Sequence, residues 1–275
     1  MKMRLCAFAD EASVDLEGQI EALKRNNISL LEIRGVDGEN IKAISYEKIK
    51  EIKKRLDDGG IGVWSIGSPI GKDKVDNDFP KQIEDFKRLC EYAQILGAKR
   101  IRMFSFHSKD EGAVMENLGK FCQVCPSDIV MCHENEKGIF GDDFESCVKI
   151  HKAFPQIKSV FDPANFVQCD VDTLAAWDAL NPYVDYMHIK DALADKRVVR
   201  AGYGIGNVEQ LVKMYAKQGG EVLTLEPHLM EFTGLAQLEN GESVSQIPVY
   251  TDTNVAFDAG TNALKAILDK LGLEY

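Results

Sequence analysis

The sequence predicts an α/β fold: one (β/α)8 barrel of the TIM type over residues 1–275, with a long loop after strand eight. Three observations carry this. A strand-like run followed by an amphipathic stretch recurs eight times without a break in composition, and eight is the number of parallel strands that closes a barrel. The chain length of 275 residues suits one such barrel. The phosphate fingerprint that a doubly wound sheet would carry after its first strand is replaced by Ala9-Asp10-Glu11-Ala12.

In chain order the strands are expected at 3–9 (MRLCAFA), 29–34 (SLLEIR), 61–66 (IGVWSI), 99–106 (KRIRMFSF), 128–133 (DIVMCH), 157–162 (IKSVFD), 184–189 (VDYMHI) and 221–226 (EVLTLE). Helices are expected near 13–25, 45–58, 80–96, 111–123, 142–153, 172–180, 207–218 and 255–271. In the third, Ile83, Phe86, Leu89, Cys90, Ala93 and Leu96 follow the 3.6-residue period. Ser45, Asp170 (ahead of Asp172) and Asn207 are expected as N-caps, while Gly97 and Gly219-Gly220 end two helices.

Composition narrows the class. The chain is 45% hydrophobic and carries a net charge of −11 with a pI near 5.0, which disfavours general nucleic-acid binding. No run approaches the roughly 20 apolar residues that span a bilayer, and Met1-Lys2-Met3-Arg4 leads straight into a strand-like stretch, so no membrane partner and a cytoplasmic location are expected. Seven scattered cysteines agree. Cys122 and Cys125 form a C-x-x-C at a helix end; without a second pair, a structural role is expected for them.

The apolar run Ile129-Val130-Met131-Cys132 stops at His133-Glu134-Asn135-Glu136, and this pattern recurs. Strands five to eight end in Glu134, Asp162, His188 and Glu226, at spacings of 28, 26 and 38 residues, one βα unit each. The strand ends form the active face of a barrel. Alternation puts Val130, Cys132 and Glu134 on one face, with Val160 and Asp162, Tyr186, His188 and Lys190, and Thr224, Glu226 and His228. Three converging carboxylates repel one another unless a cation compensates. A single divalent ion is the simplest compensator, and a Glu/Asp/His/Glu set suits Mn2+, Mg2+, Co2+ or Zn2+.

The motifs H-E-N at 133–135, F-D-P-A-N at 161–165, H-I-K-D at 188–191 and L-E-P-H at 225–228, with SIGSPIGK at 65–72, resemble the xylose isomerase-like TIM barrels over nearly the whole chain. That group, often labelled sugar phosphate isomerases/epimerases, includes ketose 3-epimerases, hydroxypyruvate isomerases and inosose-processing enzymes. The resemblance implies that Glu134, Asp162, His188 and Glu226 hold one divalent ion and that Glu134 and Glu226 are the catalytic acid/base pair. The chain departs from the ketose 3-epimerase pattern at Asn165, where that pattern has a histidine. It departs again near Ala194-Asp195, where it has an arginine. The metal site is implied; the substrate is left open.

Glu32, His107, Asn165, Lys190 and His228 are the expected substrate-facing residues, each with an alternative in local hydrogen bonding. His151 falls inside an expected outer helix, as either a surface or a packing residue. Gly202-Tyr203-Gly204-Ile205-Gly206 reads either as a phosphate-holding loop or as a tight turn before a helix. The connection 228–254, with Phe232, Leu235, Leu238, Ile247 and Tyr250, exceeds the roughly 15 residues of ordinary loops and reads as a partial lid. The leading function is a metal-dependent isomerase or epimerase acting on a small-molecule carbohydrate through an enediolate. The alternatives are a metal-dependent dehydratase of an inosose- or dehydroshikimate-like compound, an apurinic-site endonuclease (disfavoured by only five histidines) and a non-catalytic sugar-binding barrel. A homo-oligomer is compatible with all of them.

Overall fold

The structure, a computed structural model, describes residues 2–231 and 250–275. Eight parallel strands close a barrel: β1 (Arg4–Ala7), β2 (Leu30–Ile33), β3 (Gly62–Gly67), β4 (Arg100–Met103), β5 (Val130–Glu134), β6 (Ile157–Phe161), β7 (Val184–Ile189) and β8 (Val222–Leu225). Each pairs with its sequence neighbours, and closure comes from β1 on β8, in register from Arg4 opposite Val222 to Ala7 opposite Leu225. Outside the ring run α1 (Leu16–Arg25), α2 (Tyr46–Gly59), α3 (Phe79–Leu96), α4 (Glu111–Val124), α5 (Phe144–Ala153), α6 (Pro163–Gln168), α7 (Thr173–Leu180), α8 (Val208–Lys217) and α9 (Thr253–Leu271). No described helix is long and apolar enough to cross a membrane. Most of the expected lid, including Phe232, Leu235, Leu238 and Ile247, lies outside the described residues.

Local chemistry sets the element boundaries. Ser45 accepts a hydrogen bond from Lys48 N and starts α2; Gly97, at φ +77°, ends α3 in the left-handed conformation that glycine adopts without strain. Two expected caps differ. Asp172, not Asp170, caps α7, accepting from Leu174 N and Ala175 N; Asp170 sits at φ +59° in the turn after α6 and pairs with Lys196. Asn207 precedes α8, but its side chain donates to Thr173 Oγ1 instead of capping. The motif Asp162-Pro163 opens α6, a short helix between strand six and its main helix that the periodicity had missed. All seven cysteines are free thiols.

The core has two layers. Outward-facing strand residues such as Ile101, Met131, Phe161 and Leu223 pack against the helices. Inside the barrel lies a smaller cluster of Cys6, Leu30, Cys132, Val160, Tyr186 and Val222. Because strand side chains alternate, the next inward position up from this layer is Phe8, Glu32, Glu134, Asp162, His188 or Thr224, so the inner wall turns from apolar to polar within one step.

His151 on α5 is buried, its Nδ1 3.1 Å from Ile157 O and its ring stacked on Tyr183, which makes it a packing residue. Burial pushes its imidazole down to about 4. An unfolded chain therefore binds this proton near pH 6.5 and the folded chain only near 4, so acidification through that window favours unfolding. His151→Gln should flatten the loss of stability between pH 7 and 4.5 by about 2–3 kcal/mol in urea titrations; an unchanged slope would assign the acid sensitivity elsewhere.

Candidate functional site

The four expected strand-end residues do converge. Glu134 ends β5, Asp162 follows β6 as the N-cap of α6, His188 lies in β7, and Glu226 follows β8. All four are buried, and one potential ligand atom from each lies within 4.8 Å of the others. Asp162 divides its carboxylate. Oδ1 accepts from Asn165 N at 3.0 Å, while Oδ2 accepts no hydrogen bond and faces the cluster, 3.1 Å from Lys190 Nζ. His188 Nδ1 is 3.0 Å from Glu134 Oε1 and 3.4 Å from Glu226 Oε2. Its Nε2 is 3.2 Å from Glu32 Oε2, and Tyr186 O–H donates to Glu32 Oε1 at 2.8 Å.

Glu32 is thus placed behind His188 and fully buried; it orients the imidazole so that Nδ1 points at the carboxylates. A carboxylate that receives the far N–H of a ligating histidine is the usual support of a metal-binding imidazole. That support, the unsatisfied Asp162 oxygen and the hard oxygen-rich donor set all fit a divalent cation. Burial and neighbouring charges pull these groups in opposite directions. Burial opposes ionisation of His188, yet Glu134 and Glu32 hold its imidazolium well above the ordinary range. Burial raises Asp162 to about 6 despite Lys190, with Glu226 and Glu134 adding to the rise.

Two arginines at this mouth were not anticipated. Arg102 Nε lies 3.1 Å from Glu134 Oε2, and its Nη1 donates to Ser68 O at 2.8 Å. Arg34 Nη1 donates to Glu226 Oε1 at 2.8 Å, while its other nitrogens pair with Asp10 at 2.9 and 3.0 Å and with Glu11 at 3.2 Å. Both guanidiniums lie over the ring of Phe8, at 4.3 Å for Arg34 and 5.7 Å for Arg102. Gly67 permits this: a Cβ there would stand 2.7 Å from the Phe8 ring and 3.2 Å from Arg34 Cβ. Their signal was inward alternation on the second and fourth strands, Leu30-Glu32-Arg34 and Arg100-Arg102.

The remaining candidates fall at three depths. Lys190 Nζ bridges Asp162 and Glu226, and Asn165 Nδ2 reaches Glu134 Oε1 at 3.3 Å and Asn135 O at 2.9 Å. His228 Nε2 lies 3.3 Å from Glu11 Oε1 and 3.4 Å from Glu226 Oε1, so Glu11, Glu226 and His228 form a second compact group. His107 is held at the rim by Gly138 O, apart from the four-residue cluster. The glycine loop after β7 is a closed turn. Asp191 Oδ2 accepts from the backbone N–H of Gly202 and Gly204 at 3.0 Å each, and Oδ1 from Gly206 and Ala192 at 2.9 Å each.

A closed eight-stranded barrel with this rim defines a class, and sequence comparison assigns the family within it: the xylose isomerase-like TIM barrel profile matches residues 20–247. The chain belongs to that family. No curated protein matches it in sequence. Among solved structures, an L-ribulose 3-epimerase superposes with a TM-score of 0.77 at 16% identity, covering 98% of this chain and 96% of that one. The IolI protein with a bound zinc atom gives 0.75 at 14%, covering 98% and 99%. The probable 3-DHS dehydratase AsbF of Bacillus anthracis gives 0.73 at 15%, covering 96% and 99%.

Removing one partner of a buried ion pair leaves an uncompensated charge. Arg102→Met should destabilise the protein by about 3–5 kcal/mol, and the added substitution Glu134→Gln should recover a large part of that. Chemical denaturation of the two variants checks this; additive losses would show that Arg102 and Glu134 are not coupled.

Proposed function

We propose that the chain is a divalent-metal-dependent isomerase or epimerase of a small polyhydroxy carbonyl compound. The observation that carries the reading is that Glu134 Oε1 and Glu226 Oε2 lie 3.0 and 3.4 Å from His188 Nδ1, with Asp162 Oδ2, which accepts no hydrogen bond, in the same buried cluster. Glu134, Asp162, His188 and Glu226 would hold one ion (Mn2+, Mg2+, Co2+ or Zn2+), which when bound supplies Lewis acidity to neighbouring substrate oxygens. Glutamate does the proton work: one of the pair removes the proton beside the carbonyl, giving an enediolate, and the same or the opposite one returns it. Arg102 engages Oε2 of Glu134 and Arg34 engages Oε1 of Glu226, which leaves the other oxygen of each glutamate beside His188 Nδ1, where the ion would sit. Asn165, Lys190 and His228, which border the cluster, would meet substrate hydroxyls, with Glu32 as the positioning residue for His188. The epimerase and IolI neighbours support this reading, and free thiols throughout the described chain support a cytoplasmic setting.

A dehydratase is the second reading, favoured by the likeness to AsbF. It shares the first proton abstraction and differs in expelling a β-hydroxyl as water, so product analysis separates the two.

The metal set is tested by plasma emission analysis: His188→Ala should lose nearly all its divalent ion relative to wild type, and equal occupancy would dissolve the assignment. Turnover in deuterium oxide, read by NMR, should place label on the carbon next to the carbonyl. Glu134→Gln and Glu226→Gln should each lower kcat by about 10²–10⁴-fold. A reaction that never exchanges with solvent, and that survives both substitutions, would point to a direct hydride shift instead.

A further inference from the structure

The geometry points to a substrate that carries no charge, a free sugar or polyol ketone, in place of a phosphate ester or a carboxylic acid. This deepens the proposed function and rests on it for the site's location. The first ground is the loop after β7. Gly202, Gly204 and Gly206 aim their N–H groups at one point, as a phosphate-binding loop does, but Asp191 already occupies it with both carboxylate oxygens. The glycines are required by this internal anion: a Cβ at Gly204 would stand 2.3 Å from Asp191 Oδ1 and one at Gly206 2.7 Å from it. The most common phosphate quadrant of a barrel is therefore filled by the protein itself.

The second ground is the pairing of the cations at the mouth. Among the described residues, Arg34 holds Asp10, Glu11 and Glu226; Arg102 holds Glu134; Lys190 holds Asp162 and Glu226; and Lys72 Nζ holds Glu136 Oε2 at 2.8 Å. Each of these cations already has a carboxylate, and the carboxylates outnumber them, an excess that a divalent ion cancels without leaving positive charge to attract an anion. The third ground is in the sequence. Residues 232–249, FTGLAQLENGESVSQIPV, contain no lysine, arginine or histidine, so that segment brings no cation to the site. A charged substrate group would be desolvated here without a partner, which costs far more than burying a hydroxyl.

The test uses inorganic phosphate and a matched substrate pair on Mg2+-loaded protein. Millimolar phosphate should leave the wild-type melting temperature unchanged, whereas Asp191→Gly should melt lower and recover part of the loss with phosphate. If that variant does not fold, Asp191→Ala, which also vacates the point between the three glycine N–H groups, serves the same comparison. A free ketose should be turned over with kcat/KM at least about 10²-fold above its phosphate ester. Phosphate that stabilises the wild type, or a preferred phosphate ester, overturns the inference. If no carbonyl compound of either kind reacts, the proposed function fails, and the phosphate titration still decides the charge question on its own.

Discussion

Three carboxylates with oxygens within 4.8 Å of one another, out of water, are the constraint around which the mouth of this barrel is built. Like charges about 4 Å apart at the effective dielectric of such a site repel by several kcal/mol per pair. Every other polar feature there answers that repulsion. Arg102 and Arg34 approach from the outside, Lys190 from between, and the imidazole of His188 from below, with Glu32 and Tyr186 holding it in place. The arginines in turn need a flat, polarisable floor, which Phe8 supplies, and Phe8 needs a strand three residue without a side chain, which Gly67 supplies. Packing choices on three different strands thus trace back to electrostatics on four others.

The two glutamates stand in unlike surroundings despite their matching positions. Glu226 is flanked by Arg34, Lys190, His188 and His228, and although burial opposes it, Lys190 and contacts with the two histidines hold its carboxyl well below the usual range. Glu134 has Arg102 on one oxygen and His188 with the neutral Asn165 amide on the other. Asn165 stands where the ketose 3-epimerase pattern carries a histidine, so the neutral side of the site lies where this chain departs from that pattern. Pairs of carboxylates whose environments diverge are how one site separates an acid from a base.

Much of this was legible before any coordinates. The eight-fold repeat fixed the barrel because strand and helix periods alternate without interruption, and the strand-end positions of Glu134, Asp162, His188 and Glu226 follow from a period of two plus a known functional rim. What escaped was whatever depends on partners distant in sequence. Arg34 and Arg102 were not anticipated because only closure sets them against Glu226 and Glu134. Glu32 has the inward parity of a substrate-facing residue, and its contact with His188 Nε2, 156 residues away, appears only when the ring closes. Asp191 sits beside His188 in sequence, yet its carboxylate turns away to fill a loop that begins eleven residues later. Asn207 had the residue type of a cap and the backbone of a left-handed turn, at φ +57°, which aims its amide elsewhere.

The seam between β1 and β8 has a consequence for how the molecule comes into being. Arg34 meets Glu226 across 192 residues, and His228 meets Glu11 across 217. A ribosome delivers Asp10, Glu11 and Arg34 early and Glu226 near the end, so a nascent chain holds half of this network in water through most of its synthesis. Contacts so far apart in sequence form late, after most of the loop-closure entropy has been met. The same stroke that seats the last strand therefore completes the ionic network, and a chain stalled before β8 has neither a closed ring nor a competent mouth.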